Sequence, residues 1–280
     1  MEFIRLTDEQ RRAFDADGFL VVRKALDAET VAAATEAGDR LAAAFLRKPQ
    51  LPEKPEYNHL DLRPGLFTEE ALLKLVSHPV TVSLMTQLLS PNIHLHSTAL
   101  IYKRPSRPTV AFRRGWHRDI RIPKDLGHHA LPRVGIKICY CLTSFPGPNT
   151  GVTLLTRGTH LRNEPLRVPK EGVDPEGVEL AELTAEAGDV FLFDNRLYHT
   201  ASPNLSDRTS KVLMYGYAYR WMKPEIYLEA PDPRFLAPLD PIARQLLGGY
   251  RDIDTPPWAL KQWAKRNGAL RPEVPWTVDA

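Results

Sequence analysis

The chain has 280 residues, 43% hydrophobic and 25% charged, which is the balance of an ordinary globular protein able to bury a core. Its 37 basic and 34 acidic residues leave a net charge of +3, too slight to imply a nucleic-acid partner. No apolar run approaches the ~18 residues of a membrane span, no signal-peptide pattern opens the chain, and the two cysteines, Cys139 and Cys141, are too close to build a disulfide framework. A cytoplasmic enzyme or binding protein, without nucleic acid or membrane as partner, is expected.

Thr7 with Gln10 three places on has the form of a capping box and predicts a helix that stops near Gly18. Phe19 to Val22 reads as a short strand. The Ala-rich stretch from about 28 to 46 carries Val31, Ala34, Leu41 and Phe45 near helical spacing and predicts a second helix. Residues 48–66, rich in proline, read as a loop. Thr68 is expected to cap a third helix, and Pro79 to open a fourth over PVTVSLMTQLL.

After Pro91 the character changes. NIHLHSTALIYK, RVGIKICYCLTSF, GVTLLT, VELAELT, DVFLFDN and KVLMYGYAYRWM are β-rich runs separated by Gly, Pro, Asn and Asp. Many short strands without intervening helices predict a sandwich or barrel carrying a helical N-terminal layer. The expected organisation is one domain over 1–280: helical layer about 1–90, β core about 91–222, and a Pro-rich segment 223–280, with Trp258, Trp263 and Trp276, wrapping the outside.

One segment is strongly basic. From Lys103 to Lys137 the chain places Arg104, Arg107, Arg113, Arg114, Arg118, Arg121, Lys124 and Arg133 against only Asp119 and Asp125. Such a field would draw in an anionic small molecule; the alternative is a solvated loop face.

Within it, in RRGWHRDIRI, His117 and Asp119 stand two apart, so on extended backbone both side chains share a face. Two histidines and one carboxylate on one side of an ion leave its other positions open, as in non-haem Fe(II) oxygenases. The distant histidine that completes such a set is best supplied by His199, directly after an apolar strand. Nine residues later stands Arg208, whose fork of donors matches a carboxylate and suits the far end of a keto acid chelated to the metal. Trp116 is expected to pack beside His117 and orient it.

Other candidates weigh less. His59 and Asp61 repeat the spacing in the Pro-rich loop and read as a decoy that can line a cavity. His94 and His96 share a strand face without a following glutamate, and His128 and His129 read as surface residues. His160 reads as a structural residue bonded to backbone at a strand end. Tyr215, Tyr217, Tyr219 and Trp221 alternate on the last strand and fill either the core or a substrate pocket.

Taken together, WHRD at 116–119, NTGVTLLTRGTH at 149–160, AGDVFLFDNRLYHTASPN at 187–204 and Arg208 resemble the phytanoyl-CoA dioxygenase family of Fe(II)- and 2-oxoglutarate-dependent oxygenases, over roughly residues 10–222. Thr150 and Arg157 depart from the family's usual residues without touching an expected ligand. The resemblance implies a double-stranded β-helix, or jelly roll. It implies His117, Asp119 and His199 as iron ligands and Arg208 as partner of the distal carboxylate of 2-oxoglutarate. It further implies Lys103, in IYKRP, and Tyr140 as co-substrate contacts.

With O2 as oxidant, the implied reaction is oxidation of a C–H bond, most simply hydroxylation, of a small, anionic molecule such as a secondary-metabolite intermediate, with release of succinate and CO2. Asp119 argues against halogenation, which needs the carboxylate's place for a halide. Desaturation, epimerisation, cyclisation and a non-catalytic binding module stay open. Arg113, Arg114, Arg118, Arg121, Arg104 or Arg107 would hold an anionic substrate group, and residues 48–66 and 104–130 are candidate lids.

Overall fold

The computed structural model describes residues 3–47, 59–63, 65–106, 114–120, 132–225, 232–250 and 258–269. Helix α1 (Asp8–Asp17) is capped as its sequence dictates. Thr7 accepts from the Gln10 amide, the Gln10 side chain accepts from the Thr7 amide, and Gly18 closes the helix at φ 84°. Strand β1 (Phe19–Val22) and helix α2 (Ala28–Leu46) follow, the latter burying Ala34, Ala37, Gly38 and Ala42.

The expected loop enters the described residues only at 59, where it is a short edge strand, β2 (His59–Leu62). The period-2 sequence HLDL pairs antiparallel with the next strand, which the surrounding prolines conceal at the sequence level. Thr68 does not cap α3 (Glu70–Val76). It sits in a 3-10 turn and donates to the Gly65 carbonyl, and Glu69 takes the capping place without a side-chain bond. Helix α4 (Pro79–Leu88) starts with proline in its first turn.

The strands form two antiparallel sheets. One contains β1, β2, β3 (Ile93–Lys103), β4 (Gly135–Cys141), β7 (Val190–Asp194) and β9 (Ser210–Tyr219) in the order β1-β7-β4-β9-β3-β2. The other contains β5 (Thr153–Thr156), β6 (Leu180–Ala181) and β8 (His199–Ala201) in the order β6-β5-β8. Facing each other, they make the jelly roll.

Alternation along the strands divides the interior into two cores. Ile136, Ile138, Tyr140, Leu213, Tyr215 and Tyr217 pack under the helices, whereas Cys139, Cys141, Phe191, Phe193, Val212 and Met214 face the smaller sheet. The hydroxyls of Tyr215 and Tyr217 donate to the Leu72 and Val76 carbonyls at 2.8 and 2.7 Å, so these two aromatics belong to the core under α3. Tyr219 instead stacks on exposed Trp221.

One irregularity matters for the site. In β3 the pairing runs Leu95 to Tyr217 and then Ser97 to Gly216, so His96 is an extra residue in a β-bulge. A one-residue shift inverts the facing of everything beyond it. Leu95 faces the helices, yet Ala99, Ile101 and Lys103, of the same parity, face the smaller sheet and its cavity.

Helices α5 (Pro233–Leu236), α6 (Pro241–Leu246) and α7 (Trp258–Arg266) return along the helical side. Gln245 ties them down, donating to the Pro91 carbonyl at 3.0 Å and accepting from the Leu260 amide at 3.2 Å. Trp276 lies outside the described residues. Among the described residues no helix is long and apolar enough to cross a membrane.

Candidate metal centre

His199 begins β8, immediately after a turn that the sequence DNRLY ties to itself. The buried Asp194 carboxylate accepts from the Arg196 amide at 2.9 Å and from its guanidinium at 2.7 Å, with Arg133 Nε at 3.3 Å. Thr156 and Thr159 then pin Tyr198 from both sides, Thr156 N donating to its carbonyl at 3.1 Å and Tyr198 N donating to Thr159 Oγ1 at 3.0 Å.

The WHRD segment lies antiparallel beside β8. His117 and His199 exchange both backbone hydrogen bonds, at 3.0 and 2.9 Å, and the Asp119 amide donates to Asn195 O at 3.0 Å. The pairing brings the two imidazoles to 4.3 Å between ring centroids. Asp119 Oδ1 lies 3.9 Å from His117 Nε2 and 3.6 Å from His199 Nε2.

Each ring is held by its other nitrogen, Nδ1 of His117 at 2.7 Å from Gly115 O and Nδ1 of His199 at 3.0 Å from Leu197 O. A carbonyl can only accept, so Nδ1 carries a proton on each ring and Nε2 is the atom turned toward Asp119. One potential ligand atom from each of His117, Asp119 and His199 lies within 4.8 Å of the others, and among the described residues this is the only such group.

The electrostatics suit a divalent cation. Burial pushes His199 down to about 4, so it is neutral and competent to ligate at pH 7. Burial alone would raise Asp119, but the interactions led by the neighbouring Lys137 ammonium outweigh it and the carboxyl is lowered, hence ionised. Two imidazole nitrogens and one anionic oxygen, with the opposite side open to a cavity, fit ferrous iron.

That cavity, of about 580 Å3, is lined by the three candidate ligands and by His59, Asp61, His96, Lys103, Lys137 and Phe193, among others. His59 and Asp61 therefore line the chamber without joining the metal group. His94 turns to the Tyr250 hydroxyl at 2.7 Å, while His96 in the bulge reaches the cavity.

Lys103 is buried, and its Nζ donates to Gly151 O at 2.7 Å and Ser202 O at 3.3 Å. Among the described residues no carboxylate pairs with it, and burial lowers its pKa to about 7. Gly151, at φ 89°, favours glycine, since a Cβ there would be strained by the left-handed backbone and would meet Ser210 Oγ.

Two expected co-substrate residues lie elsewhere. Tyr140 is on the helix-facing side of β4, its hydroxyl beside Thr81 Oγ1 and donating to Leu75 O at 3.2 Å; strand alternation turns its neighbours Cys139 and Cys141 toward the smaller sheet instead. Arg208 precedes β9 in a turn organised by Asn204, which donates to Lys103 O and Arg208 O, both at 2.7 Å. Its side chain is 74% exposed, 3.8 Å from Asp207, and does not line the cavity.

The basic segment is partly absorbed by the scaffold. Arg114 pairs with Asp174, and Arg118 Nη2 donates to Thr159 O and Arg162 O, both at 2.6 Å, with the guanidinium 4.1 Å from the Tyr198 ring. Arg104 is exposed, while Arg107, Arg113, Arg121, Lys124, His128 and His129 lie outside the described residues, as do most of the two candidate lids. Trp116 donates to Val173 O at 3.0 Å, and His160 to Asp15 O at 3.0 Å, the latter the backbone role expected of it. The unusual Arg157 reaches Asp17 and, at 3.0 Å, Glu179.

Lys137 escaped notice at the sequence level except as one of many basic residues. A lone charge inside the apolar run GIKICYC, on a central strand, is the signal that marks it.

Residues 14–212 match the phytanoyl-CoA dioxygenase (PhyH) family. Over 264 residues the chain is 25% identical to an uncharacterised protein of Mycobacterium tuberculosis, covering 89% of each chain. It is 24% identical over 261 residues to the ectoine dioxygenase of Sphingopyxis alaskensis, covering 83% of each. HygX from Streptomyces hygroscopicus, solved with nickel and 2-oxoglutarate bound, shares the fold at a TM-score of 0.62 and 18% identity, covering 78% of this chain and 89% of that one. So does the carbocyclase SnoK of nogalamycin biosynthesis, at a TM-score of 0.60 and 18% identity, covering 76% and 84%. With its jelly roll, its His-Asp-His group and a match over most of its length, the chain belongs to the phytanoyl-CoA dioxygenase family of non-haem iron, 2-oxoglutarate-dependent oxygenases.

Proposed function

We propose that the protein is a cytoplasmic dioxygenase that uses Fe(II), 2-oxoglutarate and O2 to hydroxylate a C–H bond of a small polar molecule, releasing succinate and CO2. The observation that carries this reading is the convergence, on one cavity, of three metal-competent ligand atoms and a buried lysine without a carboxylate partner among the described residues. Bound iron, with the keto acid, would supply the oxidant; the chain's own residues do the rest.

His117, Asp119 and His199 hold the ion from one side. Lys103 takes the distal carboxylate of the keto acid in place of the expected Arg208. An ammonium removed from water costs several kcal/mol unless an anion meets it, so the free protein carries a built demand for a carboxylate at this point. Ser210, opposite Lys103 in the β3–β9 ladder, is short and leaves the lysine its room. Ala99, Ile101, Met214 and Gly216 make a mostly apolar floor, and His59, Asp61, Arg63, His96 and Glu225 supply polar groups for a substrate. The cavity has the volume of an ordinary small-molecule site, shared here with the co-substrate.

Epimerisation or cyclisation with the same cofactors is the second reading, favoured by the likeness to an epimerase and a carbocyclase of nogalamycin biosynthesis. The cofactor reading is tested by anaerobic titration with Fe(II) and 2-oxoglutarate, following the visible iron-to-keto-acid charge-transfer band. Wild type and His59→Ala should give the band and His199→Ala should lose it. No band in the wild type would overturn the reading in favour of a binding module, and product analysis with a substrate screen separates hydroxylation from the alternatives.

A further inference from the structure

Lys137 stands in the middle of a central strand, its backbone paired with Phe193 on one side and Gly216 on the other. Lysine is a poor choice for such a position unless its charge is used. The side chain is 21% exposed, its Nζ 2.9 Å from Asp119 Oδ2 and 6.0 Å from the centroid of the Phe193 ring, which itself packs 4.7 Å from His199. The two oxygens of one carboxylate are thereby divided. Oδ2 faces the ammonium, while Oδ1 faces the two imidazole Nε2 atoms.

We propose that Lys137 is a positioning residue that restricts Asp119 to one oxygen toward the metal and so preserves the coordination positions that the keto acid and O2 require. This rests on the dioxygenase reading above. A carboxylate free of other partners can close on a cation with both oxygens, and the second would occupy a position a two-toothed co-substrate needs. The ammonium opposes this through its ion pair with Oδ2.

Its charge acts in the same sense. It opposes a divalent cation nearby and attracts a dianion, so it weakens metal binding and strengthens co-substrate binding. Removing it must therefore move the two affinities in opposite directions, whereas a loosened site would lose both.

The test compares wild type, Lys137→Met, Lys137→Gln and Lys137→Arg, all anaerobic, with melting curves to establish that each is folded. Fe(II) affinity is read by competition with a coloured chelator, and 2-oxoglutarate affinity from the charge-transfer band. In the Met and Gln variants the Fe(II) Kd should fall about 3-fold or more while the 2-oxoglutarate Kd rises about 10-fold, and Arg should restore both to within about 3-fold of wild type. A rise of both constants together, or an unchanged 2-oxoglutarate Kd in folded Met and Gln variants, would overturn the proposal alone. A wild type without the band would overturn the dioxygenase reading and this inference with it.

Discussion

Lys103 and Ser210 are register partners at the end of the β3–β9 ladder, and the lysine ammonium continues past the serine to the carbonyls of Gly151 and Ser202. At this corner β9 presents the short Ser210 side chain, and the cation arrives from the neighbouring strand β3. Arg208, two residues before β9, points to solvent. The proposed co-substrate end of the cavity is thus built around a lysine whose burial is costly until an anion arrives.

Replacing that lysine should separate the two candidates. Lys103→Met is expected to weaken 2-oxoglutarate binding about 30-fold or more, because a buried charge-assisted partner is lost. Arg208→Ala should change it by no more than about 2-fold, as an exposed ion pair contributes little. Titration of the charge-transfer band decides it; the reverse ranking would return the role to Arg208.

The pH dependence has a definite sign. Burial lowers Lys103 to about 7 from its ordinary 10.5, so the ligand-free lysine loses its charge as pH rises through 7. Affinity for 2-oxoglutarate should fall between pH 7 and 9, and Lys103→Arg should flatten that profile because arginine stays charged. For folding, the unfolded chain binds more protons than the folded one between about 7 and 10.5. This residue's contribution to stability therefore rises with pH across that window. Kd profiles that coincide for wild type and Lys103→Arg would refute the assignment.

Tyr140 should prove structural. Tyr140→Phe removes a buried hydroxyl bonded to the Leu75 carbonyl, which keeps a second donor in Thr81 at 2.8 Å. The expected cost is about 1 kcal/mol in urea denaturation, with the 2-oxoglutarate Kd unmoved. A Kd that rises with intact stability would place the side chain in the site after all.

Gly151 links the resembled NTG motif to the site. Gly151→Ala faces both a left-handed backbone at φ 89° and a clash with Ser210 Oγ. A loss of about 2 kcal/mol or more is expected, with a raised 2-oxoglutarate Kd because the Gly151 carbonyl anchors Lys103. Wild-type melting and binding would show that the turn tolerates a side chain.

What the sequence determined by itself is what depends on neighbours in the chain. The capping box at Thr7, the Ala-rich helix, proline at the start of α4, the β-rich runs and the motif order around His117, Asp119 and His199 are local signals with local causes, and each stands where it was read. Strand β2 was hidden because its partner is β3, some 40 residues on, and its own four residues sit among prolines. Facing was decided only in three dimensions. Alternation on β4 turns Tyr140 to the helices and Lys137 to the metal group. On β3 the bulge at His96 inverts the parity and swings Lys103 into the cavity. The turn built on Asn204 sends Arg208 outward. A side chain's direction in a sheet depends on register with a partner strand, and one inserted residue reverses it, so the residue types alone could name His117, Asp119, His199 and Lys103 as candidates but could not separate Lys103 from Tyr140 and Arg208 or single out Lys137.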